Sequence, residues 1–302
     1  MRYYTESDTL FIRGEFRAAS TGVNGGIRSV NALVAHTLPP DSDAADALRE
    51  LEIASAGAGT GPDFFGLLTT VPAGQACVLQ YDFITLFISA GIRREEPGRA
   101  GSVSIIVTSS EGMSDGALLE AIMVAAEAKA EALQEIGLPL TGTPGDTLIA
   151  ACEGEGQERH CSAGRLTEAG KRIRDAVLHG IPAALTRHDA GTEADRPAFF
   201  IFSRIKGEHW IEWSPAGCPY YPCHFPGQSC DFCYCPFYPC RDEKLGQWAK
   251  SANGGRIWNC AKCTLVHTPA VAAYLKKYPG ASRAELARVE RRNAGKKRKV
   301  PV

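Results

Sequence analysis

Residues 102–152 constrain the fold more tightly than any other stretch. Val103–Thr108 (VSIIVT) is a β-branched apolar run of the kind buried strands use. A polar turn follows, SSEGMSDG, in which Ser114 or Asp115 is placed to cap a helix. Ala117–Ile136 is rich in Ala, Leu and Glu, which predicts that helix. Leu118, Leu119, Ile122, Met123, Ala126, Ala130 and Leu133 recur three and four apart and form its expected apolar stripe. Gly137 and Pro139 end it. The loop Thr141–Thr147 (TGTPGDT) then enters a second apolar strand, Leu148–Cys152. Strand, helix and strand in this order read as a crossover unit between parallel strands. The expected fold is α/β (or α+β): a mixed sheet with crossover helices. Ligands in such sheets gather at the carboxyl ends of strands. The loops Ser109–Asp115 and Thr141–Asp146 are therefore the first places to look, and this unit alone leaves open which sheet end each occupies.

A chain of 302 residues suits two domains. The boundaries drawn from sequence are 1–190 for the first domain, 198–290 for a cysteine-rich domain and 291–302 for a basic, disordered tail. The net charge is −1, but it is uneven. From Lys276 onward there are ten Lys or Arg against Glu285 and Glu290, which makes that end about +8 and the rest about −9. MRYYTESDTL has no apolar core of a signal peptide, and no stretch approaches the length of a membrane span. A cytoplasmic protein is expected.

Ahead of the crossover unit, Leu10–Phe16 and Phe16–Ser20 read as half-exposed strands. They lead into Ser20-Thr21-Gly22-Val23-Asn24-Gly25-Gly26, where glycines allow positive φ and close backbone approach. That loop reads either as a tight turn or as a ligand-binding loop. Val30–His36 is a strand ending on a histidine. Asp41–Glu52 reads as a surface helix or turn, and Ala54–Pro62 as a small-residue loop lacking the Gly-Lys-Ser/Thr ending of a phosphate loop. Phe64–Val71 and Ala76–Ser89 return to strand composition, interrupted near Gln80–Asp82, and Arg93–Gly101 is a charged loop. After the unit, Leu166–Leu185 reads as a helix capped by Thr167 and broken at Gly180-Ile181-Pro182. Arg187–Pro197 reads as a linker.

Four elements in this order resemble the adenosylcobinamide amidohydrolases of archaeal cobamide salvage. They are the Ser20–Gly26 loop (S-T-G-x-x-G-G), the helix core Glu127–Leu133 (E-A-K-x-x-A-L), the loop Thr141–Asp146 (T-G-T-x-x-D) and the tail Gly180–Leu185 (G-x-P-x-A-L). The resemblance spans about Phe11 to Leu185. It departs at Ala35-His36, where the family carries an Asn-His pair. It implies hydrolysis of the amide joining the corrin propionate arm to aminopropanol, giving adenosylcobyric acid and 1-aminopropan-2-ol. Cobalt belongs to that substrate, and no catalytic cofactor is expected.

Amide cleavage needs a nucleophile, a proton donor for the leaving amine and donors for the oxyanion. The candidate catalytic residues are Ser20 or Thr21 as nucleophile with His36 as base, or water activated by His36, Asp115 or Asp146. Asn24 and the loop's N–H groups would serve the oxyanion. Gly22, Gly25, Gly26, Glu127, Lys129, Thr141, Gly142 and Thr143 are candidate substrate contacts.

Phe199–Phe202 and His209–Trp213 read as a strand pair leading into the cysteines. Cys218–Cys223 (CPYYPC) and Cys235–Cys240 (CPFYPC) are an internal repeat offset by 17 positions, accompanied by Cys230/Cys233 and Cys260/Cys263. Eight cysteines in paired form suit two tetrahedral zinc sites, and spacing does not say which pairs share an ion. An iron–sulfur cluster is the alternative, and a disulfide framework does not suit the compartment. This run, with the following LGQW and WNCAKCTLVH, resembles a small cysteine-rich domain found alone or fused to the amidohydrolase in methanogenic archaea. Tyr220, Tyr221, Phe237 and Tyr238 read as its miniature core, or as surfaces for stacking bases. Two other functions compete with the hydrolase: a corrinoid-binding protein without hydrolysis, and a zinc-dependent nucleic-acid binder. Nucleic acid and membrane partners are not expected.

Overall fold

Hairpins and crossovers build a wide sheet. In the computed structural model residues 1–38, 44–92, 101–154, 158–191, 194, 196–204, 207–214, 218, 221–233, 235–250 and 256–297 are described. Two compact units emerge: Thr5–Trp213, and Met1–Tyr4 together with Ser214–Val302.

In the larger unit β1 (Arg2–Glu6, which straddles the division) and β2 (Thr9–Ser20) precede β3 (Gly26–Thr37), α1 (Ala44–Gly57) and β4 (Phe64–Thr69). β5 (Cys77–Tyr81) and β6 (Ile84–Ile92) turn at Asp82, whose φ is 54°. β7 (Gly101–Ser109) and the short β8 (Gly112–Met113) lead into α2 (Asp115–Glu135). β9 (Thr147–Cys152), β10 (Glu158–His160), α3 (Glu168–Asp189), β11 (Ala198–Ser203) and β12 (His209–Glu212) complete it. The main sheet has ten strands in the order β12-β11-β5-β6-β7-β9-β2-β3-β4, with β1 pairing β2 off this path. Pairs β7–β9, β3–β4 and β5–β11 are parallel and the other main-path pairs antiparallel. The sheet is thus mixed, and α2 is the crossover between its parallel pair β7 and β9.

The two strands expected at Leu10–Phe16 and Phe16–Ser20 are a single strand, β2, with a register shift between Arg13 and Phe16. α2 starts where expected, with the Ser114 side chain accepting from the Ala117 N–H at 3.1 Å. Its buried face differs from the predicted stripe. Ala117, Leu118, Ala121, Val124, Ala125, Ala128, Ala132 and Leu133 are buried, whereas Leu119 and Met123 are 48% and 59% exposed. α2 is apolar around much of its circumference, so spacing alone admits two frames. Packing chooses the alanine face, because short side chains bring the helix close to the sheet and α3.

α3 is not broken at Gly180–Pro182 but runs on to Asp189, so Arg187–Asp189 are helical rather than linker. A Cβ at Gly180 would stand 2.6 Å from Ile88 Cδ1 and 2.8 Å from Leu79 Cδ1, so the glycine is where helix and sheet touch. Burial on the sheet outweighs the hydrogen bond that Pro182 removes. α2 and α3 cover one face, over Leu79, Ile88, Val103, Ile105, Val107, Leu148 and Ala150. The strand pair assigned from sequence to the cysteine-rich part lies in this sheet: β11 pairs parallel with β5 through Ala198↔Cys77 to Ile201↔Gln80, so an apolar edge finds a partner. The expected elements at 41–43 and 93–100 lie outside the described residues.

In the smaller unit β13 (Gln247–Lys250) and β14 (Arg256–Asn259) form a hairpin, followed by α4 (Pro269–Lys277) and α5 (Arg283–Lys297). Its core is aliphatic: Leu265, Val266, Val271, Leu275, Ala281 and Leu286, with Phe232 and Phe237 packed against it. Tyr221 is 51% exposed, so it is no part of that core, and Tyr220 lies outside the described residues. Arg291–Lys297, read from sequence as disordered tail, continue α5; residues 298–302 lie outside the description.

Candidate functional site

The first glycine loop meets the start of β9, directly after the second. Thr21 N donates to Leu148 O at 3.0 Å, and Leu148 N donates to Thr21 Oγ1 at 3.1 Å. A Cβ at Gly22 would stand 2.3 Å from Gly66 O and 2.7 Å from Thr147 Cγ2. Residue 22 must therefore be glycine for the turn to seat between β4 and the start of β9. Gly26 has φ of 112° and Asn24 one of 59°, so the tight-turn requirement is also real. Ser20 is buried and its Oγ accepts from Gly22 N at 3.0 Å. Thr21, Asn24, Gly25 and Gly26 are exposed.

Beneath the second loop lies Asp146. Its Oδ1 accepts from Val103 N at 2.8 Å and from the Thr143 hydroxyl at 2.6 Å, and its Oδ2 from Thr143 N at 2.9 Å. Lys129 Nζ, from α2, completes the set as an ion pair to Oδ2, with both side chains 8% exposed. Gly142 rides directly on this pair: a Cβ there would lie 2.6 Å from Lys129 Nζ. Asp146 is thus held by four donors as an anchor for the loop, and Lys129 is its counter-ion. Thr141 and Glu127 are exposed at this end. Ser102 Oγ is 3.0 Å from Thr69 Oγ1, bringing the start of β7 and the end of β4 to the same place.

Two predicted members are elsewhere. Asp115 begins α2, at the carboxyl end of β7, whereas Thr141–Asp146 precedes β9. Since β7 and β9 run parallel with Ser104↔Thr147 and Ser109↔Cys152, the two loops occupy opposite sheet ends, about 17 Å apart. Asp115 is held by Arg17 at 2.8 and 2.6 Å, and that hydrogen-bonded guanidinium keeps its carboxyl below the usual carboxylate range. His36 Nδ1 is 2.8 Å from Thr9 Oγ1 and its Nε2 3.5 Å from Glu50 Oε2. None of these bonds reaches Ser20 or Thr21, so the predicted Ser/Thr–His pair is not assembled. The carboxyl end carries a group that spacing did not reveal: Glu111, bonded to His160 Nε2 at 2.9 Å and Arg159 Nη1 at 2.8 Å. Its members are 49 residues apart and carry no motif.

In the smaller unit the cysteines fall into two sets. Cys233 has Cys218, Cys223 and Cys230 as its electrostatic neighbours, and Cys235 has Cys240, Cys260 and Cys263. Burial pushes the Cys233 thiol up to about 11 and the Cys235 thiol up to about 12. The second set lines a cavity of about 170 Å³ with Trp258 and Arg283. Gln228, which the sequence did not flag, is buried and donates its amide N–H groups to Cys223 Sγ at 3.2 Å and Cys230 Sγ at 3.3 Å. Among the described residues no three His, Cys, Asp or Glu side chains converge at coordination distance. Also among them, no helix is long and apolar enough to cross a membrane.

A mixed α/β domain with two glycine loops at one sheet end, followed by a small cysteine-rich domain, defines the class: a two-domain α/β protein with a candidate small-molecule site at that sheet end. Residues 2–193 match the family model of adenosylcobinamide amidohydrolases, and the chain belongs to that family. Residues 209–290 match a cysteine-rich small domain. An adenosylcobinamide amidohydrolase of Methanosarcina mazei is 38% identical over 199 residues, which cover 61% of this chain and 98% of that protein. One of Halobacterium salinarum is 29% identical over 198 residues, 58% and 83% of the two chains. An uncharacterised protein of Methanocaldococcus jannaschii is 58% identical over 55 residues, 18% of this chain and 46% of that one.

Proposed function

We propose that this chain hydrolyses the aminopropanol amide of adenosylcobinamide, releasing adenosylcobyric acid and 1-aminopropan-2-ol in cobinamide salvage. The observation that carries the reading is the junction of the Ser20–Gly26 loop with Thr147 and Leu148, the start of β9 directly after the Thr141–Asp146 loop, so that two family-like elements lie at one end of the sheet. Exposed Thr21, Asn24, Gly25, Gly26 and Thr141 supply hydroxyl, amide and N–H groups to the amide side chains of a corrinoid. Asp146 and Lys129 hold that surface in shape from below. Amide hydrolysis needs no metal of the enzyme's own, and the cobalt travels with the substrate.

The cysteine-rich domain, on this reading, holds two structural zinc ions. Cys218, Cys223, Cys230 and Cys233 would bind one, and Cys235, Cys240, Cys260 and Cys263 the other. What supports this is the chemistry of the donor set: eight sulfurs that neighbour one another in two groups of four, with the Gln228 amide on two sulfurs of the first group.

Incubating the purified full chain with adenosylcobinamide and analysing the mixture by mass spectrometry tests the reading. Both products should form. Unchanged substrate that nevertheless co-elutes with the protein would replace the hydrolase with a corrinoid-binding protein.

A further inference from the structure

The last turn of α3 brings a histidine to the same sheet end as the glycine loops. His188 Nδ1 lies 2.9 Å from Oε1 of Gln75, a buried residue. An amide oxygen only accepts, so Nδ1 donates to it, and Nε2 is the ring nitrogen left to gain or lose a proton. The neighbouring Arg187 donates to the carbonyls of Gln75 and Gly74, both at 3.3 Å, which ties the 3-10 turn at Ala73–Gln75 to the helix end. The ring is thereby fixed in orientation.

Its Nε2 edge rests on Gly91. A Cβ at that position would stand 2.8 Å from both Nε2 and Cδ2 and 2.9 Å from Val71 Cγ2, so only glycine leaves room for the imidazole. Gly91 is the cross-strand partner of Ser102. Ser102 in turn bonds Thr69, and Gly145 of the Thr141–Asp146 loop packs over it, its added Cβ falling 3.5 Å from Ser102 Cβ. Nε2 has no hydrogen-bond partner among the described residues. A ring nitrogen held in a set orientation thus stands one strand away from the hydroxyls and the loop of the candidate site.

We propose that His188 is the proton-transfer residue of the amide hydrolysis, acting from Nε2 at the sheet end where Gly91, Ser102, Thr69 and the Thr141–Asp146 loop meet. The proposal rests on the hydrolase reading. In the first step Nε2 takes a proton from the attacking water as its oxygen bonds to the amide carbon. In the second the imidazolium returns that proton to the aminopropanol nitrogen as the C–N bond breaks, leaving the carboxylic acid, which ionises to solvent. Among the described residues, the charged and titratable groups at this helix end are Arg187 and Asp189 on α3, Arg196 beside Gly74, and the buried Cys77 thiol, which feels Arg187. Gln75, Thr70, Val71, Gly91 and Ser102 carry no charge, and the Lys129–Asp146 pair, bonded next to Ser102 at Val103, is neutral as a unit.

The test is the pH dependence of adenosylcobinamide hydrolysis by the full chain, with His188→Gln and Gln75→Glu beside it and substrate retention measured by ultrafiltration of the coloured corrinoid. His188→Gln should lower kcat by about a hundredfold or more, with substrate retention unchanged. Gln75→Glu places a carboxylate on Nδ1, so the acid limb of kcat/KM should move up by about one pH unit. A His188→Gln enzyme within about threefold of wild-type kcat would overturn the proposal and leave the hydrolase standing. If that variant does not fold, an acid limb unmoved in Gln75→Glu overturns it equally. A wild-type chain inactive at every pH removes the hydrolase reading and this proposal together.

Discussion

Lys129 and Asp146 form a buried ion pair across 17 residues of sequence, joining the middle of α2 to the loop that starts β9. Removing one partner leaves a charge in a nearly closed space, which typically costs about 3–5 kcal/mol. Asp146 also serves Val103 N and both donors of Thr143, so Asp146→Ala should destabilise more than Lys129→Met. The double variant should cost less than the sum of the two. Denaturant midpoints of the full chain measure this, and additive losses would show that the pair is not coupled.

Asp115 should prove dispensable for hydrolysis. It is half exposed, pairs with Arg17 and lies at the other end of the sheet. Asp115→Asn should leave kcat and KM unchanged, with a stability loss of at most about 1 kcal/mol. Its carboxyl is held low in the folded chain, so its contribution is present above the ordinary carboxylate range and fades as pH falls through the lowered value. A stability difference between wild type and variant that grows on acidification would contradict that sign.

Where the chain is cut should matter. A chain ending at Arg187 loses β11 and leaves the edge of β5, Cys77–Gln80, unpaired. It should aggregate, because an exposed apolar strand edge templates association. A chain ending at Trp213 keeps the sheet intact and should elute as a soluble species in size-exclusion chromatography.

The cysteines should bind two zinc ions per chain by elemental analysis, falling to one in Cys230→Ser and to one in Cys260→Ser. Burial holds the Cys233 and Cys235 thiols far above neutrality in the metal-free chain, so loading must release protons and affinity should rise with pH. Gln228→Ala should weaken the first site by roughly tenfold, the size of other losses beyond the ligand shell. Loss of both ions on changing either cysteine would show one shared site.

Much of this molecule was legible in the chain itself. β7, α2 and β9 follow from a β-branched run, a cap and an Ala-rich stretch, since each of these preferences acts over a few residues. The paired cysteines and their repeat were visible for the same local reason. The stripe on α2 was not, because Leu119 and Met123 satisfy helical spacing as well as Ala121 and Ala125 do, and only the sheet and α3 select between the faces.

Sequence by itself determined the elements, the family motifs and the residues that had to be glycine near a turn. Tertiary structure decided which of them share a site. Thr21 meets Leu148, and Lys129 meets Asp146, because the parallel pairing of β7 with β9 carries one loop to the end of the sheet where the β2–β3 turn lies. The same pairing sends Asp115 to the opposite end, and the register of β3 gives His36 to Thr9 and Glu50. His188 and Gln75 lie 113 residues apart and come together only because α3 packs across the sheet. Such contacts join groups distant along the chain, and no local preference encodes them.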